Sequence, residues 1–476
     1  MAISIREAAQ IVPSDRQAAW QELEFYGFIH FTVNTFRDRE WGDGSESPAE
    51  FAPSALDARQ WAEVARDAGM KGVILTCKHH DGFCLWPSAY TDHSVQSSPW
   101  RGGRGDLVRE TAEACREYGL KFGIYLSPWD RHERSYGDSD AYNDFFVNQL
   151  QELLTGYGEI FSVWFDGACG EGPNGKKQVY DWDRYYETIR RHQPGAVISV
   201  CGPDVRWCGN EAGHTRTAEW SVVPGSLRDN EKIQAESQTE DDGTFASRIN
   251  SDEDDLGSRA VIEQANELVW YPAEVNTSIR PGWFYHASED EQVKSADALM
   301  DLYERAVGGN SCFLLNLPPD RRGLLHERDV SELRELGRRI RETYGNDLAA
   351  GASVTASTFR PEHEGRQTTD GDPQTWWEAE EGAEQAILDI EWKQEQTFDR
   401  IVLTEQILRG QRIEAFEIEV LDENGNGSNI HRGTVVGHKC ICRLESSQTA
   451  RRLRVIIVQS RLNPTLRQVG VYQSCR

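Results

Sequence analysis

Between residues 25 and 344 the chain repeats one unit: a short apolar run, a polar or aromatic cluster, then a stretch of helical spacing that is often closed by glycine. Apolar runs occupy 25–31, 72–77, 120–126, 159–165, 196–201 and 311–316. They are near-continuous, the pattern of strands buried on both faces of a parallel sheet. Helical spacing fills 56–69, 107–118, 141–155, 182–192 and 329–344. Strand and helix alternating over such a length specify a parallel sheet with helical crossovers. No G-x-G-x-x-G opens the first crossover, and polar or aromatic residues gather after nearly every strand. Functional groups at the ends of many strands are the mark of a (β/α)8-like barrel, an α/β fold. The stretch 203–290 is irregular and acidic, at Glu240–Asp242 and Asp252–Asp255, so its barrel strands are separated by long loops and one or two outer helices are expected to be missing.

The pattern changes near Gly345. From there the chain gives short alternating runs, such as 387–390, 400–403, 416–420 and 453–458, separated by Gly, Asn and Asp turns. That is the signature of an all-β sandwich. A chain of 476 residues exceeds what one core usually supports. The expected division is a catalytic barrel over 1–345 and a sandwich over 346–476.

Composition narrows the partners. With 51 basic against 78 acidic residues the net charge is -27, which disfavours nucleic acid and anionic membranes as partners. The ten cysteines contain no C-x-x-C pair and read as buried free thiols; Cys440 and Cys442, near His438, are a weak metal-site candidate. The first residues lack the apolar core of a secretory signal, and no stretch is long and apolar enough to cross a bilayer. The sequence as written therefore reads as cytoplasmic, or as secreted or periplasmic if a signal has been removed.

The run 159–165 ends abruptly in Asp166 and Gly167. A carboxylate placed after a buried strand must be paired, hydrogen-bonded or functional, because desolvating it alone costs several kcal/mol. His30, His79, His80, Tyr125 and Trp129 fall on the same expected rim. Adjacent histidines on an extended segment point opposite ways and no metal-ligand spacing is present, so imidazoles and indoles with few cations suit a neutral polyhydroxylated ligand, a sugar. Fifteen tryptophans agree with that, since indole faces stack on sugar C–H faces. Sugar hydrolysis with an aspartate nucleophile needs a second carboxyl group about 5 to 5.5 Å away for retention. Glu211, in a Gly-flanked loop, is the best candidate; Glu219 and Glu274 are rivals.

The segments Phe28-Ile29-His30-Phe31, Lys78-His79-His80-Asp81-Gly82-Phe83, Gly123-Ile124-Tyr125-Leu126-Ser127, Val163-Trp164-Phe165-Asp166-Gly167 and Arg206-Trp207-x-Gly209-Asn210-Glu211 resemble, in collinear order, the α-L-fucosidases of glycoside hydrolase family 29. The resemblance implies a retaining enzyme in which Asp166 is the nucleophile and Glu211 the acid/base. The two roles need different environments: donors around Asp166, and a drier or more negative setting for Glu211. It further implies that His30, His79 and His80 bind fucose hydroxyls, that Tyr125 and Trp164 neighbour the nucleophile, and that Arg206 lies near the acid/base loop. Glu40, Trp41 and Trp283 would complete the pocket, Trp283 against the C5 methyl. The contexts of Glu211 and of Thr217–Ser221 resemble the subgroup that cuts branched α-1,3 and α-1,4 linkages in Lewis-type glycans, with Trp220 as platform for the neighbouring galactose. The implied partner is a fucosylated oligosaccharide or glycoconjugate. No cofactor is expected for catalysis. A catalytically impaired sugar-binding protein, or a retaining glycosidase of other specificity, are the alternatives. The C-terminal part, with Asp370-Gly371-Asp372-Pro373 and Thr375-Trp376-Trp377, resembles discoidin or coagulation-factor type C domains, often carbohydrate-binding modules. A structural calcium ion at Asp370, Asp372 and Thr375 is an expectation from their hard oxygen ligands.

Overall fold

The computed structural model describes residues 3–238 and 254–475. The acidic residues 240–242 and 252–253 therefore lie outside the described part. Eight parallel strands form the first domain: β1 (Phe25–Ile29), β2 (Gly72–Lys78), β3 (Lys121–Leu126), β4 (Ser162–Phe165), β5 (Val197–Val200), β6 (Arg206–Trp207), β7 (Ala273–Ser278) and β8 (Cys312–Asn316). Their spatial order is β5-β4-β3-β2-β1-β8-β7-β6. A short parallel bridge between Ser199 and Val205 links the two ends among the described residues, so the barrel is nearly closed.

Outer helices α1 (Ala58–Asp67), α2 (Leu107–Glu117), α3 (Ser139–Gly156), α4 (Trp182–His192), α5 (Ala296–Val307) and α6 (Glu327–Tyr344) follow β1, β2, β3, β4, β7 and β8. Their ends are written in the sequence: the Asp57 and Asp106 side chains accept the first backbone N–H groups of α1 and α2, and Gly69 and Gly119 follow the helices at positive φ. The expected shortage of helices is real. β5 passes to β6 in five residues, with Val200 forced to φ 68, and the described part of the β6–β7 connection holds a two-stranded ribbon (Val222–Pro224 with Leu268–Trp270) and short helices instead of one crossover helix.

Alternation along the fully buried strands sorts their side chains into two cores. Val73, Leu75, Val163 and Phe165 face the helices, while Tyr26, Phe28, Ile74, Tyr125, Trp164 and Leu314 fill the barrel interior. Two residues further on, the inward series of β1, β4 and β8 reach His30, Asp166 and Asn316. Strand parity thus delivers three polar groups to one mouth.

The second domain is an antiparallel β-sandwich. Strands β9 (Ser353–Ala356), β10 (Ala386–Thr404), β11 (Ile413–Leu421), β12 (Gly427–Gly433), β13 (Cys440–Ser460) and β14 (Gln468–Tyr472) make it up. The long strands β10 and β13 serve both layers. The first part of β10 pairs with β9 and the end of β13, its last residues with β14 and the start of β13, with register shifts between. The sandwich leans on the barrel through Arg400, which donates to Glu304 (2.7 Å), and through Arg461, stacked 3.6 Å over the Trp220 ring.

Candidate active site

One cavity at the barrel mouth is lined by Phe28, His30, Trp41, His79, His80, Tyr125, Trp164, Asp166, Val200, Trp207, Glu211, Asn276 and Trp283, among others. Asp166 ends β4 and is held by two donors. The Tyr125 hydroxyl donates to Oδ2 at 2.9 Å and the Ala168 N–H to Oδ1 at 2.8 Å. Tyr125 is paired with Trp164 in the β3–β4 ladder and their rings stack at 5.3 Å. Trp164 in turn donates its indole N–H to Glu274 Oε1 (2.8 Å), and Tyr26 donates to the other oxygen of the same carboxyl group. Glu274 thus lies wholly buried in the barrel interior beneath Trp164, its pKa pushed up to about 7 by burial. It is a structural acid, not the second cavity carboxyl group. Glu219, the other rival, is also buried and spent on Arg206 and Arg216.

Glu211 takes the second position. Its loop is shaped by Asn210, whose side-chain oxygen accepts from the Ala212 and His214 N–H groups (3.1 and 2.9 Å), between Gly209 and Gly213, both at positive φ. The carboxyl group accepts from the Trp283 indole N–H at 2.8 Å. Burial raises its pKa to about 8; the Trp283 hydrogen bond opposes, and the negative charges of Asp166 and Glu40 add to the rise. At neutral pH Glu211 keeps a proton, in the same cavity as Asp166 and its two donors.

The three histidines are neutral. Asn316 donates its amide to the Trp283 carbonyl (2.8 Å) and Ser278 Oγ (2.9 Å), so its oxygen faces His30 Nδ1 at 2.8 Å, which must carry a hydrogen. Ser127 donates to the Trp129 carbonyl (2.6 Å) and so accepts from His80 Nδ1 (2.7 Å). In both rings Nε2 is left as an acceptor. Burial pulls His30 down to about 3 and His80 to about 4. The 3.7 Å approach of His80 Nε2 to Asp166 is therefore not an ion pair. His79, pushed well below the usual range by burial, has a buried Nδ1 with no partner among the described residues. The adjacent histidines do not point opposite ways, as an extended segment would require: the chain turns over 79–82, closed by the Gly82 N–H on the His79 carbonyl (3.0 Å), and the rings lie 4.1 Å apart in one cavity.

Three expected site residues lie elsewhere. Trp220 is buried among Val223, Leu256, Val269, Tyr271 and Val435 under Arg461, so it is part of the seam between domains and offers no face to a sugar. Arg206 points away from the cavity into its pair with Glu219. Glu40 stands behind the wall, accepting the backbone N–H groups of Trp283 (2.8 Å) and Phe284 (3.0 Å). Conversely, Trp207 and Asn276 line the cavity, Trp207 donating to Asn276 at 3.2 Å, and were not anticipated. A period-2 reading of 273–278 would have put Glu274, Asn276 and Ser278 on one inward face. In the sandwich, Thr375 donates to both oxygens of Asp370 (3.1 and 2.9 Å) and Asp372 accepts from the Gln374 N–H (2.9 Å). The three residues close a turn upon themselves.

Residues 10–345 match the family model described as alpha-L-fucosidase. Over 471 residues the chain is 41% identical to alpha-L-fucosidase 1 of Arabidopsis thaliana, covering 97% of this chain and 87% of that one. The chain belongs to the alpha-L-fucosidase family of glycoside hydrolases. Among solved structures, a family 29 fucosidase of Ruminococcus gnavus in complex with fucose superposes with a TM-score of 0.85 at 31% identity, covering 98% of this chain and 96% of that one. A glycoside hydrolase 29 family member from an unknown rumen bacterium gives 0.78 at 38% identity, over 98% and 78%. Residues 367–455 match a NedA-like, galactose-binding domain model. This fucosidase therefore acts on fucose-containing substrates.

Proposed function

We propose that the enzyme is a retaining, exo-acting α-L-fucosidase that removes α-1,3- and α-1,4-linked fucose from branched, Lewis-type glycans. The observation that carries the mechanism is the unequal setting of two carboxyl groups in one cavity. Asp166 accepts from Tyr125 and the Ala168 N–H, whereas Glu211 is lifted to about 8. In the first step an Asp166 oxygen bonds to the anomeric carbon while the glycosidic C–O bond breaks and Glu211 gives its proton to the departing oxygen. In the second, Glu211 takes a proton from water, whose oxygen displaces Asp166 and releases fucose with its original configuration. Two carboxyl groups suffice, so no cofactor enters.

Neutral His30 and His80 present Nε2 as acceptors for sugar hydroxyls, and the orphaned His79 Nδ1 gains a partner once a hydroxyl arrives. Trp283 and Phe28 supply apolar faces for the C5 methyl. Linkage preference rests on the sequence context of Glu211 and of 217–221; with Trp220 buried, the neighbouring sugar must be met by other groups of the cavity rim. A panel of Lewis trisaccharides and a 2'-fucosylated glycan tests it. Fucose release from the Lewis compounds should be faster by at least tenfold; equal rates would remove the linkage assignment and leave the mechanism untouched. Proton NMR of the first-formed fucose should show the α anomer.

A further inference from the structure

The loop 281–286 carries Trp283, whose indole N–H touches Glu211, and its other side is tied down by a group outside the cavity. His286 Nε2 lies 2.8 Å from Glu40 Oε1 and His286 Nδ1 2.8 Å from Asp38 Oδ1. Both ring nitrogens face carboxylates, which only accept when ionised, so both carry hydrogen and His286 is an imidazolium. The Glu40 hydrogen bond, the Asp38 bond and the nearby charges of Glu40 and Glu289 hold it so, up to about 9, against partial burial. Glu40 also takes the backbone N–H groups of Trp283 and Phe284, and Asn316 takes the Trp283 carbonyl from the barrel side. The Trp283 peptide is therefore gripped at both ends. Gly282 lets the carboxylate pack directly against the loop backbone, since a Cβ there would stand 2.6 Å from Glu40 Oε1.

We propose that His286, clamped between Asp38 and Glu40, is a positioning residue for the acid/base group: it fixes the 281–286 loop so that the Trp283 N–H rests on Glu211. This deepens the reading of Glu211 as acid/base and rests on it. Without the imidazolium, Glu40 loses its charge partner beside Glu289, the loop is held more weakly, and the Glu211 carboxyl group loses the fixed donor that orients it. What suffers is proton delivery to the leaving oxygen, not attack by Asp166.

The test uses the full-length enzyme and aryl α-L-fucosides that differ in leaving-group acidity, a phenyl fucoside against a 2,4-dinitrophenyl fucoside. The phenolate of the second departs without a proton. His286→Ala should lower kcat/KM for the phenyl compound about tenfold more than for the dinitrophenyl compound, the size of one hydrogen bond, while any loss of the Trp283 contact with the sugar falls on both alike. Asp38→Asn, at an exposed position, should show the same selectivity in weaker form if His286→Ala fails to fold. Equal losses on both substrates, or no loss on either, would overturn the proposal. Glu211→Ala, run alongside, separates the two readings. If it shows leaving-group selectivity and the His286 and Asp38 variants do not, only the clamp is wrong; if it shows none, the acid/base assignment itself falls.

Discussion

The two walls of the cavity are built on different principles. The Asp166 wall is regular: β3 and β4 present Tyr125, Trp164 and Asp166 by strand parity, locked in register and braced from below by Glu274. The Glu211 wall is irregular: it consists of loops after β6 and β7, held by an Asx turn at Asn210, by the Glu40 contacts to Trp283 and Phe284, and by a sandwich domain pressed against the segment behind it. Ser221 donates to Gln411 of the sandwich at 2.7 Å, and the Glu219 carbonyl accepts from Gln411 at 3.2 Å. The contrast suits the chemistry. A nucleophile needs a fixed position, and a strand end supplies it; an acid that also becomes a base, beside an entering and leaving aglycone, sits on loops braced from several sides.

If that contrast is right, damage to the strand wall should be uniform across substrates and damage to the loop wall selective. Asp166→Ala should lower kcat by about 10⁴-fold or more on every fucoside, with fucose binding retained by calorimetry. Glu211→Gln should cost about 10² to 10⁴-fold on unactivated glycans and far less on the dinitrophenyl fucoside. Wild-type kcat/KM should fall as pH rises through about 8, where Glu211 loses the proton it must donate, and the Gln variant should lack that limb. Tyr125→Phe removes one hydroxyl donor from Asp166 and should cost about tenfold to hundredfold in kcat, equally for good and poor leaving groups. A larger loss on poor leaving groups would mean that Tyr125 serves the acid instead. Trp220→Ala should touch catalysis least. It should lower stability by about 3 to 5 kcal/mol in thermal denaturation, while kcat at low temperature stays within about twofold. A selective loss on branched glycans would restore its expected role as a platform.

Legibility in the sequence followed the same division. The strand wall could be read because parity and buried runs place His30, Tyr125 and Asp166 without knowledge of any loop. Glu211, Glu219 and Glu274 could not be ranked from spacing alone, since their separation depends on which partners fold against them: Arg206 and Arg216 consumed Glu219, and Tyr26 with Trp164 consumed Glu274. β7 went unread because its Ala-Glu-Val-Asn-Thr-Ser lacks the apolar run of its neighbours; its inward Glu274 meets Tyr26 and Trp164 across the barrel, and Asn276 and Ser278 meet Trp207 and Asn316 of the adjoining strands. Trp220 misled because an aromatic in a glycan-handling sequence suggests a stacking face, and only the approach of Val435 and Arg461 from the second domain reveals it as core.

The division of labour between the two carboxyl groups is tested most directly by azide rescue. Azide supplied to Asp166→Gly enzyme with an activated α-fucoside should enter from the vacated side and yield β-fucosyl azide, whereas azide supplied to Glu211→Ala enzyme should attack the covalent intermediate and yield the α anomer. The reverse pairing of anomers, or no azide product from either variant, would contradict the account.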